Sequence, residues 1–207
     1  RLVEAHAFSR LTWDGETVAL RDRPALTMGT AAVVPPAGSF LQATLQGEAA
    51  LLHAVRQALG PQKRIVDLFS GTGTFSLPLA ASMEVHAVEG DAAMTKALDL
   101  AARNTLKLHR ISTETRDLFR RPLEPDELLA FSGAVIDPPR AGAEAQTDRL
   151  AQSKIPVIAA VSCNPVTFAR DAKTLTAAGY RLDWIQVVDQ FRWSTHVELV
   201  ARLSRPT

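Results

Sequence analysis

The chain has little of what marks several classes of protein. It contains a single cysteine, Cys163, so it cannot form an internal disulfide, and this usage favours a reducing compartment. No apolar run approaches the roughly 20 residues that span a bilayer, and no basic segment followed by an apolar one opens the chain. We therefore expect a cytoplasmic protein without a membrane partner. The formal net charge is only +1, so the basic excess of a dedicated nucleic-acid binder is missing.

The chain is long enough to close one good core, because 46% of its 207 residues are apolar. It starts at Arg1 and not at Met, so we expect it to be part of a longer protein. Residues 47–207 are predicted to form the main domain. We interpret residues 1–46 as a β-rich lead-in segment with three strand-like pieces, at 2–8, 17–20 and 31–34.

The main domain alternates predicted strands and helices. The strands lie at 64–69, 84–88, 111–115, 134–137 and 156–162. One short helix follows Gly73, and the longer helices lie at 48–59, 91–104, 126–131 and 167–178. This alternation predicts an α/β fold with a doubly wound, mostly parallel sheet. Two further strand-like runs, 180–191 and 195–203, have no helix between them and predict a C-terminal antiparallel hairpin.

A candidate cofactor site follows the first strand of this domain. The stretch 67–75 reads DLFSGTGTF, in which Gly71 and Gly73 let the backbone turn sharply close to a ligand. Glu89 ends the second strand, where a carboxylate can accept both hydroxyls of a ribose. Ser76 stands where a pyrophosphate-binding turn has its third small residue. The site therefore favours an adenosine-type cofactor without a pyrophosphate, and S-adenosylmethionine fits that description.

Three more polar side chains are predicted to reach the same edge of the sheet. Asp137 ends the fourth strand, and Pro138 and Pro139 make the following turn rigid. Cys163 ends the fifth strand. Glu198 lies near the start of the last strand, which runs in the opposite direction and so begins at this edge. A carboxylate in an otherwise apolar strand is costly to bury unless it has a partner or a task.

Each candidate also has a purely structural interpretation, and the residue pattern leaves both open. Cys163 could pack as a small apolar side chain, and Asp137 could belong to a plain rigid turn. Glu198 could be a buried carboxylate with a structural partner. Glu89 could be a solvated strand terminus, and the same holds for Asp117, which otherwise could meet an adenine amino group after the third strand.

Several stretches, spread over about residues 39–203, together resemble one protein family. They are SFLQ (39–42), DLFSGTGTFSLPLA (67–80), VEGD (88–91), DPPR (137–140), SCNP followed by TFARD (162–171), and DQF (189–191) leading to HVE (196–198). These stretches resemble the RNA uracil-5 methyltransferases, which form 5-methyluridine in tRNA or ribosomal RNA. The chain departs from the family's pattern in three places: Thr44 replaces an asparagine, Arg192 a proline, and Ser194-Thr195 a Thr-Gly pair.

The resemblance implies a Rossmann-like class I methyltransferase sheet, with residues 1–46 as the remnant of a central domain and 47–207 as the catalytic domain. It implies that Cys163 attacks carbon 6 of the base, that Glu198 is the general base, and that Asp137 contacts the base or helps to activate the cysteine. S-adenosylmethionine would be the cofactor, held by Gln42, Asp67, Phe69, Ser70, Gly71, Gly73, Glu89, Asp117 and Asp137.

The same resemblance implies an RNA partner, either ribosomal RNA or tRNA. We expect no metal site in this chain, although many relatives carry an RNA-binding barrel and an iron–sulfur cluster further upstream. Two rival hypotheses remain. An N-methyltransferase also uses an Asp-Pro-Pro turn, but it usually has an aromatic residue where Arg140 stands. Alternatively, the chain is a cofactor-binding fragment that is inactive without its N-terminal part.

Overall fold

The computed structural model describes residues 2–191 and 193–205. Its strands are β1 (Arg10–Trp13), β2 (Glu16–Leu20), β3 (Leu26–Met28), β4 (Ala31–Val33), β5 (Arg64–Leu68), β6 (Glu84–Glu89), β7 (Ile111–Thr115), β8 (Gly133–Ile136), β9 (Val157–Ser162), β10 (Arg181–Val188) and β11 (Glu198–Ser204). Its helices are α1 (Leu2–Ala5), α2 (Leu45–Leu59), α3 (Ser76–Leu79), α4 (Ala92–Arg103), α5 (Pro125–Leu128), α6 (Glu144–Gln152) and α7 (Pro165–Ala177). No helix in these described ranges is long and apolar enough to cross a membrane.

The main sheet has the strand order β10-β11-β9-β8-β5-β6-β7. The five strands from β5 to β9 run parallel, and β10 and β11 run antiparallel to their neighbours. The predicted mostly parallel sheet with a C-terminal antiparallel hairpin is therefore confirmed. The chain moves outward from β5 through β6 and β7, then returns to the other side of β5 with β8. In sheets of this kind, ligands bind beyond the carboxyl ends of the strands at this reversal.

Helices cover both faces of the sheet. On one face, Leu51 and Val55 of α2 are fully buried with Val135, Val161 and Val200 of the sheet. On the other face, α5, α6 and α7 bury Leu128, Leu150 and Leu175 against the opposite side chains of the same strands. Each such side chain contributes about 1.5–3 kcal/mol relative to exposure, so these two layers hold the strand ends in place.

Helix ends follow local capping signals. Thr44 accepts a hydrogen bond from the Gly47 amide, so α2 begins three residues before the predicted start at 48. Asp91 caps α4 as predicted. Asn164 caps α7, which begins at Pro165 and so two residues before the predicted 167. Helix α6 was not predicted, because a polar residue, Gln146, interrupts the apolar repeat on its buried face. The Gln146 side chain accepts a hydrogen bond from the Leu123 amide and donates one to the Leu123 carbonyl.

The lead-in segment forms two small antiparallel hairpins, β1–β2 and β3–β4. The prediction of a strand at 2–8 is wrong, because this stretch starts with helix α1. The Phe8 amide then donates a hydrogen bond to the Val3 carbonyl within the same stretch. Strands β1 and β3 were not predicted. Met28 and Val33 of the second hairpin are buried against the main domain, in a cluster that includes Leu77 and Leu98.

Candidate active site

The turn after β5 consists largely of left-handed residues. Phe69, Gly71 and Gly73 have φ angles of 63°, 56° and 101°. A positive φ is uncommon for a bulky residue, so the conformation of Phe69 is one that the surrounding structure must hold. A side chain at Gly73 would collide with Leu98 of α4, whereas Gly71 has open space beside its Cα. The turn therefore packs tightly on its inner side and leaves the Gly71 backbone accessible to a ligand.

Glu89 lies at the end of β6, beside this turn. One of its carboxylate oxygens accepts the Gly71 amide at 2.9 Å, and the other accepts the Asp91 amide at 2.9 Å. The side chain is only partly buried, so the carboxylate is held in a defined orientation while it still reaches the cleft. The sequence prediction that Glu89 and the glycine turn meet at one edge agrees with this geometry.

Asp117 lies just beyond β7 at the same edge. One of its oxygens accepts the amides of Phe119 at 3.0 Å and Arg120 at 3.3 Å. The Phe119 ring lies 5.3 Å from the Phe69 ring at an angle of 56°. An aromatic pair and a carboxylate thus follow Glu89 along the rim, which is the kind of surface that a purine ring contacts.

Two acids lie at the carboxyl ends of the central strands. Asp67 is fully buried, and it accepts a hydrogen bond of 2.5 Å from Ser76 through one oxygen. Its other oxygen has no partner among the described residues. Burial raises the pKa of Asp67 to about 7, although the hydrogen bond from Ser76 lowers it. The pKa of Asp137 is raised to about 8 by burial and by the negative charges of Glu198 and Asp67. Ser70 is also buried, and its hydroxyl has no hydrogen-bond partner among the described residues.

Cys163 and Glu198 directly follow the last residue pair between β9 and β11 at this end of the sheet. Leu199 of β11 pairs with Ser162 of β9, so the next residue along each strand is Glu198 on one and Cys163 on the other. Residues opposite each other in adjacent antiparallel strands have Cα atoms about 4.5–5.5 Å apart. Glu198 is buried at 4% exposure, which raises its pKa, while Cys163 is partly exposed.

The thiol is held in its neutral form in this arrangement. Burial raises the pKa of Cys163, the charges of Glu198 and Asp137 raise it further, and the charge of Arg140 opposes them. Cys163 is not packed as a small core residue, because its side chain is partly exposed and lies near charged groups. Three strands, β8, β9 and β11, thus bring Asp137, Cys163 and Glu198 to one rim.

Gln42 reaches the site through a contact that the sequence did not predict. The Gln190 side-chain amide donates to the Gln42 side-chain oxygen at 2.7 Å, although the two residues lie 148 positions apart. The Gln190 oxygen is buried and has no hydrogen-bond partner among the described residues, and it lies against Gly47 in the first turn of α2, where a side chain would collide with it. The only sequence signal for Gln190 was its place in the DQF stretch.

The loop between β10 and β11 lies directly before Glu198. The rings of Phe191 and His196 meet edge to face at 6.3 Å. Trp193 is fully exposed and has a φ angle of 66°. Arg192, the predicted departure from a proline, lies outside the described residues. The loop therefore presents aromatic rings to solvent immediately before Glu198 in the chain.

A family model described as "tRNA (Uracil-5-)-methyltransferase" matches residues 35–205. The chain belongs to this family. The match covers every site residue named above, from Gln42 to Glu198.

Relatives in the tRNA (uracil-5-)-methyltransferase family include proteins with and without an assigned substrate. The chain is 50% identical over 204 residues to an uncharacterized RNA methyltransferase of Mesorhizobium japonicum, which covers 99% of this chain and 50% of that protein. It is 35% identical over 173 residues to a 23S rRNA (uracil(1939)-C(5))-methyltransferase of Chromohalobacter salexigens, which covers 82% of this chain and 36% of that protein. The chain thus spans about half the length of the curated relatives that it matches most fully.

This chain is also similar to a solved structure of a tRNA uracil-5 methyltransferase. The Pyrococcus abyssi tRNA (uracil-54, C5)-methyltransferase, in complex with S-adenosyl-L-homocysteine, superposes with a TM-score of 0.77 at 28% identity, over 91% of this chain and 46% of that one. TYW2 of M. jannaschii, solved in complex with AdoMet, shares the fold alone, with a TM-score of 0.65 at 16% identity over 97% of this chain and 95% of that one. Within the described ranges, no group of three or more His, Cys, Asp or Glu side chains is arranged to hold a metal ion.

Proposed function

We propose that this chain carries the S-adenosylmethionine-dependent methylation of carbon 5 of a uridine in structured RNA. The observation that supports it best is the pairing of Leu199 with Ser162, which leaves Glu198 and Cys163 as the next residues on the two chains, with Asp137 at the end of a neighbouring strand. A thiol and a carboxylate on one rim are the two groups that this reaction needs. Similar proteins are named for a uridine in 23S rRNA and for one in tRNA, so the substrate is proposed as ribosomal RNA or tRNA.

The residues of the glycine turn fit this cofactor. Glu89 is oriented to meet two ribose hydroxyls, and the Gly71 backbone is accessible beside it. The unpaired oxygens of Asp67 and Ser70 are polar groups without partners in the described protein, as expected beside a ligand that completes them. Gln42, Phe69, Gly73, Asp117 and Asp137 complete the proposed set. When bound, S-adenosylmethionine supplies a methyl group on a positively charged sulfur.

Cys163 is the proposed nucleophile. After its thiol proton has left to solvent, the sulfur bonds to carbon 6 of the uracil ring, and the displaced π electrons form an enolate through carbon 5 and oxygen 4. Carbon 5, which is a poor nucleophile in the free base, now carries electron density. Burial and the charges of Glu198 and Asp137 raise the pKa of Cys163, so forming the thiolate is the unfavourable first part of this step.

Glu198 is the proposed general base. Once carbon 5 is methylated, the Glu198 carboxylate takes the proton that remains on that carbon. The released electron pair restores the double bond between carbons 5 and 6, and the bond from carbon 6 to sulfur breaks. A carboxylate whose pKa burial raises is a stronger base than an exposed one, which suits this step. Before any of this, the uridine must leave its stack, which costs a few kcal/mol and favours loops or single strands.

Covalent trapping tests the proposal. RNA that contains 5-fluorouridine cannot lose a proton from carbon 5, so with cofactor the wild type should accumulate a protein–RNA adduct. Cys163→Ala should form none, because it removes the only thiol. Glu198→Gln should accumulate an adduct even with ordinary uridine. Equal trapping by wild type and Cys163→Ala would refute the nucleophile.

A second measurement separates the rival hypotheses. If methylation survived both Cys163→Ala and Glu198→Gln, the chain would be an N-methyltransferase or another enzyme that needs neither group. Titration calorimetry with S-adenosylmethionine on the same sample measures binding independently of turnover. Binding without turnover on any uridine-containing RNA would favour the hypothesis of a cofactor-binding fragment that needs its N-terminal part.

A further inference from the structure

The loop between β10 and β11, here called the aromatic loop (residues 189–197), is braced by short-range hydrogen bonds. The Phe191 amide donates to an Asp189 carboxylate oxygen at 3.2 Å, and the Ser194 amide donates to the Phe191 carbonyl at 3.1 Å. The Ser194 hydroxyl oxygen accepts the His196 amide at 3.1 Å. Together with the edge-to-face contact of the Phe191 and His196 rings, these bonds give the interior of the loop a defined shape.

Both ends of the aromatic loop are fixed to the rest of the fold. Near its start, the Gln190 side chain bonds to Gln42 and leaves no room for a side chain at Gly47 of α2. At its end the chain enters β11 at Glu198, which is buried. A loop that is fixed at both ends and bonded within itself needs little further ordering when a ligand binds.

Trp193 lies at the exposed part of the aromatic loop. Its side chain is fully exposed, and none of the ring contacts within residues 2–191 and 193–205 involves it. Its φ angle of 66° is one that a bulky residue rarely adopts. One exposed apolar residue is ordinary, but here full exposure is combined with a backbone conformation that costs stability. Trp193 therefore contributes no burial to the fold, and a role in binding accounts for both features.

An unpaired RNA base is the ligand that fits this side chain. The chain belongs to a family of RNA methyltransferases, and proteins that bind unpaired RNA stack bases on exposed aromatic rings. Trp193 is five residues before Glu198, and five extended residues span at most about 18 Å. The indole is thus within reach of nucleotides next to one that enters the candidate active site, while its full exposure places it outside the buried position of Glu198.

We propose that the aromatic loop is an RNA-binding surface, on which the Trp193 indole stacks against the base of an unpaired nucleotide that flanks the target. The face of the base covers the exposed indole, and the fixed shape of the loop keeps the ordering cost of this contact low. The identity of the target as a uridine rests on the proposed function, whereas the stacking contact does not. The substrate is therefore RNA in which the target and at least one neighbour are unpaired.

A cycle of changes in protein and RNA tests this contact. The probe is an RNA hairpin with an unpaired uridine in its loop, in which each flanking nucleotide is replaced in turn by an abasic one. Fluorescence anisotropy measures binding in the Cys163→Ala background, so that no turnover occurs. At one flanking position the abasic change should weaken binding about 5- to 100-fold, as for one lost stack, but by less than about twofold when Trp193→Leu is also present. Equal effects of the abasic changes with and without Trp193→Leu, at both positions, would overturn the proposal.

A second variant separates binding from folding. Glycine adopts a positive φ without strain, which offsets its greater freedom in the unfolded chain, so Trp193→Gly should leave the urea midpoint unchanged. It should lose as much RNA affinity as Trp193→Leu. A clearly lower midpoint would assign Trp193 to the fold, and a wild-type dimer that Trp193→Leu dissociates would assign it to a contact between copies; either result overturns the proposal.

Trp13 supplies the matched control, because it is also exposed but lies on the β1–β2 hairpin. Trp13→Leu should bind the intact and abasic RNAs as the parent protein does, and a loss equal to that of Trp193→Leu would contradict a specific contact. Intact 5-fluorouridine trapping without coupling between Trp193 and a flanking base would refute only the stacking. Loss of trapping with this coupling intact would refute only the proposed function.

Discussion

Asp137 is expected to lower the stability of the ligand-free protein as the pH rises. Its pKa is about 8 in the folded state, raised by burial, Glu198 and Asp67, against about 3.9 in an unfolded chain. A carboxyl with a raised folded pKa stabilises the fold below the unfolded pKa, and this contribution is lost as the pH rises through the folded pKa. Between about pH 4 and pH 8 the folded protein therefore binds more protons than the unfolded chain, and the free energy of unfolding falls.

The size of the effect follows from this difference. Integrating one titration with pKa values of about 3.9 and 8 gives a loss of about 3.5 kcal/mol between about pH 5 and pH 8, as an upper limit because the side chain is not wholly inaccessible. Asp137→Asn removes this titration and keeps the shape. The variant should therefore gain stability relative to wild type by up to this amount as the pH rises, while it loses methylation.

Urea unfolding of the ligand-free protein at pH 5 and pH 8 measures the effect. Asp183→Asn is the matched control, because the pKa of Asp183 is lowered in the folded protein whereas that of Asp137 is raised. Its partial burial raises the pKa, but hydrogen bonds from Ser204, Arg181 and Arg202 lower it overall. The stability from Asp183 is lost only as the pH falls through its low pKa, so this variant should be less stable than wild type by the same amount at both pH values. A constant difference between wild type and Asp137→Asn, within about 0.5 kcal/mol, would refute the reasoning.

Three further outcomes are expected. Gly73→Ala should unfold at lower temperature and lose cofactor binding in calorimetry, because φ is 101° there and a leucine of α4 fills the space; wild-type affinity would contradict this. Glu89→Gln should weaken S-adenosylmethionine binding about tenfold or more, while Glu84→Gln at the other end of β6 should not, and equal effects would count against the ribose contact. Trp193→Ala should weaken binding of single-stranded uridine-rich RNA by about 1–3 kcal/mol in a fluorescence titration, as for loss of one stacked base. Trp13→Ala replaces an exposed tryptophan on the lead-in hairpin and should leave that affinity unchanged, and equal losses in the two variants would contradict stacking of a base on Trp193.

Local patterns were sufficient to predict most of the main domain. Apolar runs followed by turn residues located β5, β6, β8 and β9 to within one residue at each end, because buried parallel strands form continuous apolar stretches. Strand β7 was also placed at 111–115, although ISTET is not an apolar run. The lead-in segment was predicted less well. Its strands are only three to five residues long, and the stretch at 2–8 bonds to itself instead of to a partner strand. Helix α6 was not predicted because it buries Gln146, and the hydrogen bond that satisfies this side chain, from the Leu123 amide, forms only in the folded chain.

The amino-acid sequence by itself determined the fold class, the family, and the residues that end each strand at the functional edge. These depend on short-range features: a glycine turn, a rigid Asp-Pro-Pro turn, and a thiol after an apolar strand. Only the tertiary structure decided which of these groups come close to one another. The antiparallel register sets Glu198 beside Cys163, the Gln190 side chain meets Gln42 across 148 positions, and the Asn164 side chain bonds to the Arg140 carbonyl. The same packing raises the pKa of Asp137, because burial and neighbouring charges are properties of the folded chain and not of any local stretch.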